Sequence, residues 1–110
     1  MSKNWISYDF DNGCFRDVLY KAGVYVVYGN DEIIYIGSSN SIRKRITSYS
    51  FNYCKYSCPV KTPWGNYLKL KLKARYTKKY GEWAMIELRL IRRLQPKHNK
   101  TSKGKGKNGR

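Results

Sequence analysis

Acidic residues are scarce in this chain. Seven Asp and Glu stand against 23 Lys and Arg among 110 residues, a formal net charge of +16. Five of the seven (Asp9, Asp11, Asp17, Asp31 and Glu32) fall within the first 32 residues. From Ile33 onward only Glu82 and Glu87 remain against 20 cations, which leaves +18. A basic or neutral partner surface is a poor match for such a field. A polyanion, most simply nucleic acid, is the natural counterpart. Long apolar runs are also missing: nothing approaches the roughly 18 residues that span a bilayer. The opening MSKNWISYDF lacks the basic-then-apolar layout of a secretory leader. Both features predict a cytoplasmic protein without a membrane partner. Cysteine is sparse, with Cys14 alone and Cys54 and Cys58 four residues apart, and His98 is the single histidine. That supply falls short of a disulfide scaffold and of a four-ligand zinc site with two close pairs. All three cysteines are expected as reduced thiols.

What remains is enough for one domain with one modest core. In the opening stretch, FRDVLYKA (15–22) suggests a short helix starting near Asp11 or Asn12. Val24 to Tyr28 is β-branched and aromatic, Gly29-Asn30-Asp31 is turn chemistry, and Ile33 to Ile36 repeats the strand composition up to Gly37. These predict an antiparallel hairpin. Ser38 to Asn40 offers helix caps. Beyond them Ile42, Ile46 and Tyr49 recur at helical spacing. Residues 50–66 mix aromatic residues, Pro and Gly and read as a loop with local structure, placed to touch the substrate. Leu68 to Lys73 alternates Leu with Lys, a strand with one apolar and one basic face. A helix is expected from Glu82 to about Leu94, with Trp83, Ile86, Leu90 and Leu94 inward, stopped by Pro96. The basic, Gly-rich stretch 100–110 reads as a disordered tail that follows phosphates.

Two polar residues stand out on this frame. Glu87 lies beside the apolar stripe of a basic helix, one turn from Trp83 and from Ile91. A carboxylate there has to be paired, protonated or metal-bound, because burying it alone is costly. Arg45 sits one turn before Tyr49. The hairpin itself carries Gly23-Val24-Tyr25 and then Tyr35-Ile36-Gly37, a mirrored order that a sheet does not require.

Gly23-Val24-Tyr25, nine residues, Tyr35-Ile36-Gly37, then Arg45 with Tyr49 one turn on, then Glu87, Pro96 and Asn99 resemble the GIY-YIG nuclease family. The pattern is most similar to the branch found in the excision-repair nuclease subunit UvrC. The resemblance spans Gly23 to Asn99 and departs at Ser38, where repair-type relatives often carry lysine. Arg43 or Lys44 would then supply that charge. It implies an α/β (α+β) domain with a small three-stranded antiparallel sheet flanked by helices, over residues 1–99 with its core at 23–99.

The implied activity is metal-dependent DNA endonuclease, leaving 5′-phosphate and 3′-hydroxyl ends. The alternatives are a partner-dependent nuclease subunit and a non-catalytic nucleic-acid-binding module. By this resemblance Glu87 would hold one Mg²⁺ or Mn²⁺ ion, and Arg45 would grip phosphate oxygens. Tyr25 or Tyr35 would orient or deprotonate the attacking water. Tyr49 would position phosphate or water, and Asn99 would brace the site. Gly23 and Gly37 would permit tight turns at the catalytic end. Lys69, Lys71 and Lys73, with Arg43 and Lys44, would contribute DNA affinity. The expected partners are DNA and either a second copy of the chain or a targeting protein.

Overall fold

The computed structural model describes residues 4–78 and 80–99; the stretch read as a tail, 100–110, lies outside them. Nine elements follow in order: β1 Ile6–Asp11, β2 Cys14–Phe15, β3 Gly23–Gly29, β4 Glu32–Ser39, α1 Ile42–Ser48, β5 Val60–Thr62, β6 Gly65–Tyr67, β7 Leu70–Tyr76 and α2 Tyr80–Leu94. The main sheet has five strands in the order β2-β1-β7-β3-β4, and β5 and β6 pair separately. The expected three-strand sheet is therefore too small. Its predicted members are β7, β3 and β4, and the chain's opening adds two more.

The addition has a local cause. Asn12 and Gly13 both adopt positive φ (50° and 86°), the geometry of a tight hairpin turn that Asn-Gly favours. β1 folds back on β2 and pairs along its other edge with β7. The helix expected over 15–22 is absent. Phe15 belongs to β2, and Asp17 takes positive φ (69°), which breaks a helical run. Burial of Phe15 and Val18 holds this segment on the core instead.

The β3–β4 hairpin forms as expected. Asn30 and Asp31 take positive φ (53° and 68°) at its tip, and the Asn30 side-chain oxygen accepts the Leu68 and Lys69 amides. β4 runs past Gly37 to Ser39, so the cap falls later than Ser38–Asn40: Ser41 is the N-cap of α1. The Ser39 hydroxyl accepts the Ser41 amide proton and donates to the Ser41 carbonyl.

Two apolar layers sandwich the sheet. Val24, Val26 and Ile36 pack against Trp83 and Ile91 of α2. Tyr25, Val27, Leu72 and Ala74 pack with Ile42 and Ile46 of α1 and with Phe15 and Val18. In α2 the inner stripe runs through Ile91, 1% exposed, whereas Leu94, expected inward, is 38% exposed. Burying Ile91 is worth about 1.5–3 kcal/mol. β7 begins at Leu70 rather than Leu68, and Leu68 lies outside it and exposed.

The stretch 50–66 carries the local structure expected of it. It holds β5 and β6 and a bridge between Asn52 and Lys61. Cys54 and Cys58 form a disulfide across 5.9 Å between Cα atoms, a separation such bonds favour. This corrects the expectation of three free thiols; Cys14 alone is free.

Candidate active site

Register places Tyr25 of β3 opposite Gly37 of β4, and Tyr35 opposite Val27. Both tyrosines join the α1-side layer, Tyr25 1% exposed and Tyr35 half-buried. Tyr49 does not lie on α1 but ends it, as an extended C-cap. That turn brings the third phenol to the other two. The Tyr25 and Tyr49 hydroxyls are hydrogen-bonded, and the Tyr35 ring lies beside both. The three ring centroids lie 6.3, 6.5 and 6.3 Å apart. Burial, with the neighbouring phenols second, pushes the proton affinity of Tyr25 and Tyr35 well above the ordinary 10.0.

The glycines explain this packing, though not by turning. Gly23 and Gly37 sit inside strands, and neither has positive φ. A Cβ on Gly37 would lie 2.5 Å from the Tyr25 hydroxyl oxygen and 2.6 Å from its Cζ. A Cβ on Gly23 would lie 2.2 Å from the Arg75 carbonyl oxygen. Gly37 is the floor on which the Tyr25 ring rests, and Gly23 lets β7 approach β3.

Trp64, at the turn between β5 and β6, covers the tyrosines. It stacks on Tyr35 at 4.9 Å and 24°, and meets Tyr49 edge-on at 5.0 Å and 70°. Its amide donates to the Thr62 hydroxyl, which in turn donates to the Gly65 carbonyl.

Glu87 arrives from α2. Ser38 pairs with Val24, a member of the α2-side layer, and its hydroxyl donates to Glu87 Oε1 at 2.5 Å. The site therefore straddles β4, the edge strand, with phenols on one side and a carboxylate reaching in from the other. Burial raises the Glu87 pKa above its ordinary value; the Ser38 hydrogen bond and the Arg45 charge pull it down but do not win. Glu87 in turn raises the Tyr35 pKa, so the carboxylate and the phenol are electrostatically coupled.

Arg45 is exposed on α1, and among the described residues its guanidinium makes no ion pair. Its charge lowers the proton affinity of Tyr25, Tyr35 and Glu87 alike. Asn99 closes the base: its side chain accepts the Ile36 amide at 2.8 Å and donates to the Ile36 carbonyl at 2.7 Å. Both backbone groups of the residue between Tyr35 and Gly37 are thereby fixed.

Among the described residues no three His, Cys, Asp or Glu side chains cluster as a metal cage. The donors present are hard oxygens: the Glu87 carboxylate, with the Ser38 hydroxyl bound to it. That set suits a Mg²⁺-like ion, which takes one or two carboxylates and keeps water and phosphate oxygens for the rest. A half-buried carboxylate whose burial outweighs its partners is also one that a cation would relieve.

The basic residues named from sequence divide. Lys44 is exposed beside Arg45. Arg43 donates to the Val18 carbonyl at 3.0 Å and lies 5.5 Å from the Tyr20 ring centre, so it ties the 18–20 segment to α1. Lys69 pairs with Asp31 at 3.3 Å and Lys71 with Asp9 at 3.9 Å, while Lys73 sits over the Tyr28 ring. Leu70, Leu72 and Ala74 join the tyrosine-side layer, so strand alternation sends Lys71 and Lys73 to the opposite side of the sheet. The structure does not bring the lysine row to the phenols. Two contributors escaped the sequence reading: Ser38 as the partner of Glu87, and Trp64 as the cover of the tyrosines. The Thr62-Pro63-Trp64-Gly65 turn was the available signal for the second.

Residues 21–100 match the family described as the UvrC-like GIY-YIG domain. Among curated proteins, the chain is 31% identical over 93 residues to UvrABC system protein C of Xanthomonas oryzae pv. oryzae (strain PXO99A), covering 83% of this chain and 15% of that protein. It is equally similar to UvrABC system protein C of Xanthomonas euvesicatoria pv. vesicatoria (strain 85-10), covering 14% of that protein. The chain thus spans about one-seventh of the length of these relatives. No solved structure gives a significant match.

Proposed function

The chain belongs to the UvrC-like GIY-YIG family of nucleases, and from that premise we propose that it is a divalent-metal-dependent DNA endonuclease leaving 5′-phosphate and 3′-hydroxyl ends. The observation that carries this reading is the convergence on one edge strand of a phenol cluster and a half-buried carboxylate, in the field of the exposed Arg45 guanidinium. A phosphodiester is shielded by its own charge. Its hydrolysis needs an oriented water, cations on the phosphoryl oxygens and help for the leaving oxygen. The strongly basic chain, +16 overall, supplies the field that gathers DNA.

Arg45 grips the non-bridging oxygens, where a planar fork of donors matches phosphate geometry. Glu87, oriented by the Ser38 hydroxyl, would hold the ion, which when bound supplies Lewis-acid stabilisation of the phosphate and the leaving 3′ oxygen. Tyr35 orients the attacking water and, once its own phenolic proton has passed to bulk solvent, accepts the water's proton as the phenolate. Its half-exposed position supports this choice over Tyr25, whose hydroxyl is buried and bonded to Tyr49. Tyr35 holds its own proton tightly partly because Glu87 is negative. Neutralising Glu87 and keeping Arg45 close both ease that grip. The Tyr25 and Tyr49 rings flank the Tyr35 ring and limit its movement.

A second reading is that the domain cuts only beside a targeting partner or a second copy. It is favoured by the relatives' name, UvrABC system protein C, which marks each of them as one part of a system. One experiment tests both. The purified chain is incubated with Mg²⁺ on plasmid and on nicked, flapped and branched duplexes, with an EDTA control. Products are offered to DNA ligase and to a polymerase. Metal-dependent cuts that ligate and extend support the stand-alone reading and its end chemistry. A folded, DNA-binding chain that leaves every substrate intact moves the assignment to the partner-dependent reading.

A further inference from the structure

We propose that Trp64 is a positioning residue of the active site: its indole fixes the ring planes of Tyr35 and Tyr49, and through Tyr49 the hydroxyl of Tyr25. The proposal rests on the nuclease reading above for its kinetic consequences, but its structural content stands without it. Trp64 belongs to neither strand of the β3–β4 hairpin and to neither helix. It is delivered from the small β5–β6 sheet, 29 residues after Tyr35 in the chain.

The geometry is specific. One face-to-face contact with Tyr35 (4.9 Å, 24°) and one edge contact with Tyr49 (5.0 Å, 70°) leave the two phenols little freedom to swing apart. Phe51 backs the same cluster, 6.1 Å from Trp64 and 6.2 Å from Tyr49. The turn that carries Trp64 is itself tied: Thr62 bonds the Trp64 amide and the Gly65 carbonyl, and the Asn52–Lys61 bridge anchors β5. A phenol used to orient water gains from a fixed ring, because a small misplacement of a catalytic group is expensive. The stretch 50–66, which looked like a substrate-facing loop in the sequence, acts as a brace built onto the family's hairpin and helices.

The test compares Trp64→Ala, Trp64→Phe and, as a control on the same segment, Tyr56→Ala. Tyr56 is 83% exposed. On a DNA substrate cut by the wild type, Trp64→Ala should lower kcat about a hundred-fold with KM nearly unchanged. Trp64→Phe should recover most of that loss, and Tyr56→Ala should match the wild type. A second readout needs no activity. Ultraviolet titration of tyrosinate should show additional tyrosines ionising near the ordinary range in Trp64→Ala but not in Trp64→Phe. Unchanged kcat and an unchanged titration in a folded Trp64→Ala protein would overturn the proposal. A wild type that cuts nothing while the titration still shifts would count against the nuclease reading and leave the bracing role supported.

Discussion

Ser38 donates its hydroxyl proton to Glu87 Oε1 across 2.5 Å, joining the edge of the sheet to the middle of α2. It occupies one carboxylate oxygen and counters the upward push of burial on the Glu87 pKa. Removing the hydroxyl should let the carboxylate swing and hold its proton more firmly. Ser38→Ala should therefore raise the Mg²⁺ concentration needed for half-maximal cleavage by about 10–100-fold, the usual cost of losing a ligand's outer partner. Saturating metal should restore much of the rate. A metal titration of cleavage checks this. An unchanged requirement would mean that the hydrogen bond does not serve metal binding.

Glu87 also makes a prediction about stability. Its folded pKa lies above its ordinary 4.5 because burial disfavours the anion. The native state then binds this proton more tightly than the unfolded chain does. The favourable contribution is fully present below the unfolded pKa and is lost as pH rises through the folded one. Glu87→Gln cannot ionise, so without metal it should melt above the wild type at neutral pH, and the gap should close in acid. The same substitution should cut cleavage at least about a hundred-fold. Thermal melts at neutral and acid pH test the stability half on their own.

Arg45 should resist conservative replacement. Arg45→Ala should reduce the cleavage rate by about a hundred-fold or more, and Arg45→Lys should recover little, since an ammonium offers a point charge where a fork is needed. Single-turnover rates decide it. Full activity in Arg45→Lys would reduce the residue to a source of charge.

The two glycines separate by what their missing Cβ would strike. At Gly37 it would meet the Tyr25 ring; at Gly23 it would meet the backbone of β7. Gly37→Ala should cost about 1–3 kcal/mol, typical of overpacking, and should displace the Tyr25 hydroxyl, so activity falls as well. Gly23→Ala should cost more, because strand backbone yields less than a side chain. Urea unfolding midpoints of the two variants give the order, and a reversed order would contradict this account of the packing.

Some of this was legible in the residues and some was not. The β3–β4 hairpin announced itself through β-branched and aromatic runs around Asn30-Asp31, and α2 through its apolar spacing up to Pro96. Asn99 was expected as a brace, and it clamps Ile36. The β1–β2 hairpin was missed although Asn12-Gly13 is a strong turn signal; the composition of FRDVLYKA suits a helix, and packing of Phe15 and Val18 overrode it. The role of the glycines was legible only as a need for small residues, since the reason lies in rings and backbone brought in from other strands. Ser38 and Glu87 are 49 residues apart, and Trp64 reaches Tyr35 only because β5–β6 folds back over α1's end. No local pattern encodes such meetings. The lysine alternation predicted the faces of β7 correctly, but not that its basic side would lie away from the phenols.

The most direct test of the central claim compares the wild type and Glu87→Gln on one duplex, measuring binding and Mg²⁺-dependent cleavage in the same samples. The account predicts equal or tighter binding by Glu87→Gln, with cleavage reduced at least about a hundred-fold. Cleavage at the wild-type rate by Glu87→Gln would contradict it and remove Glu87 from the chemistry.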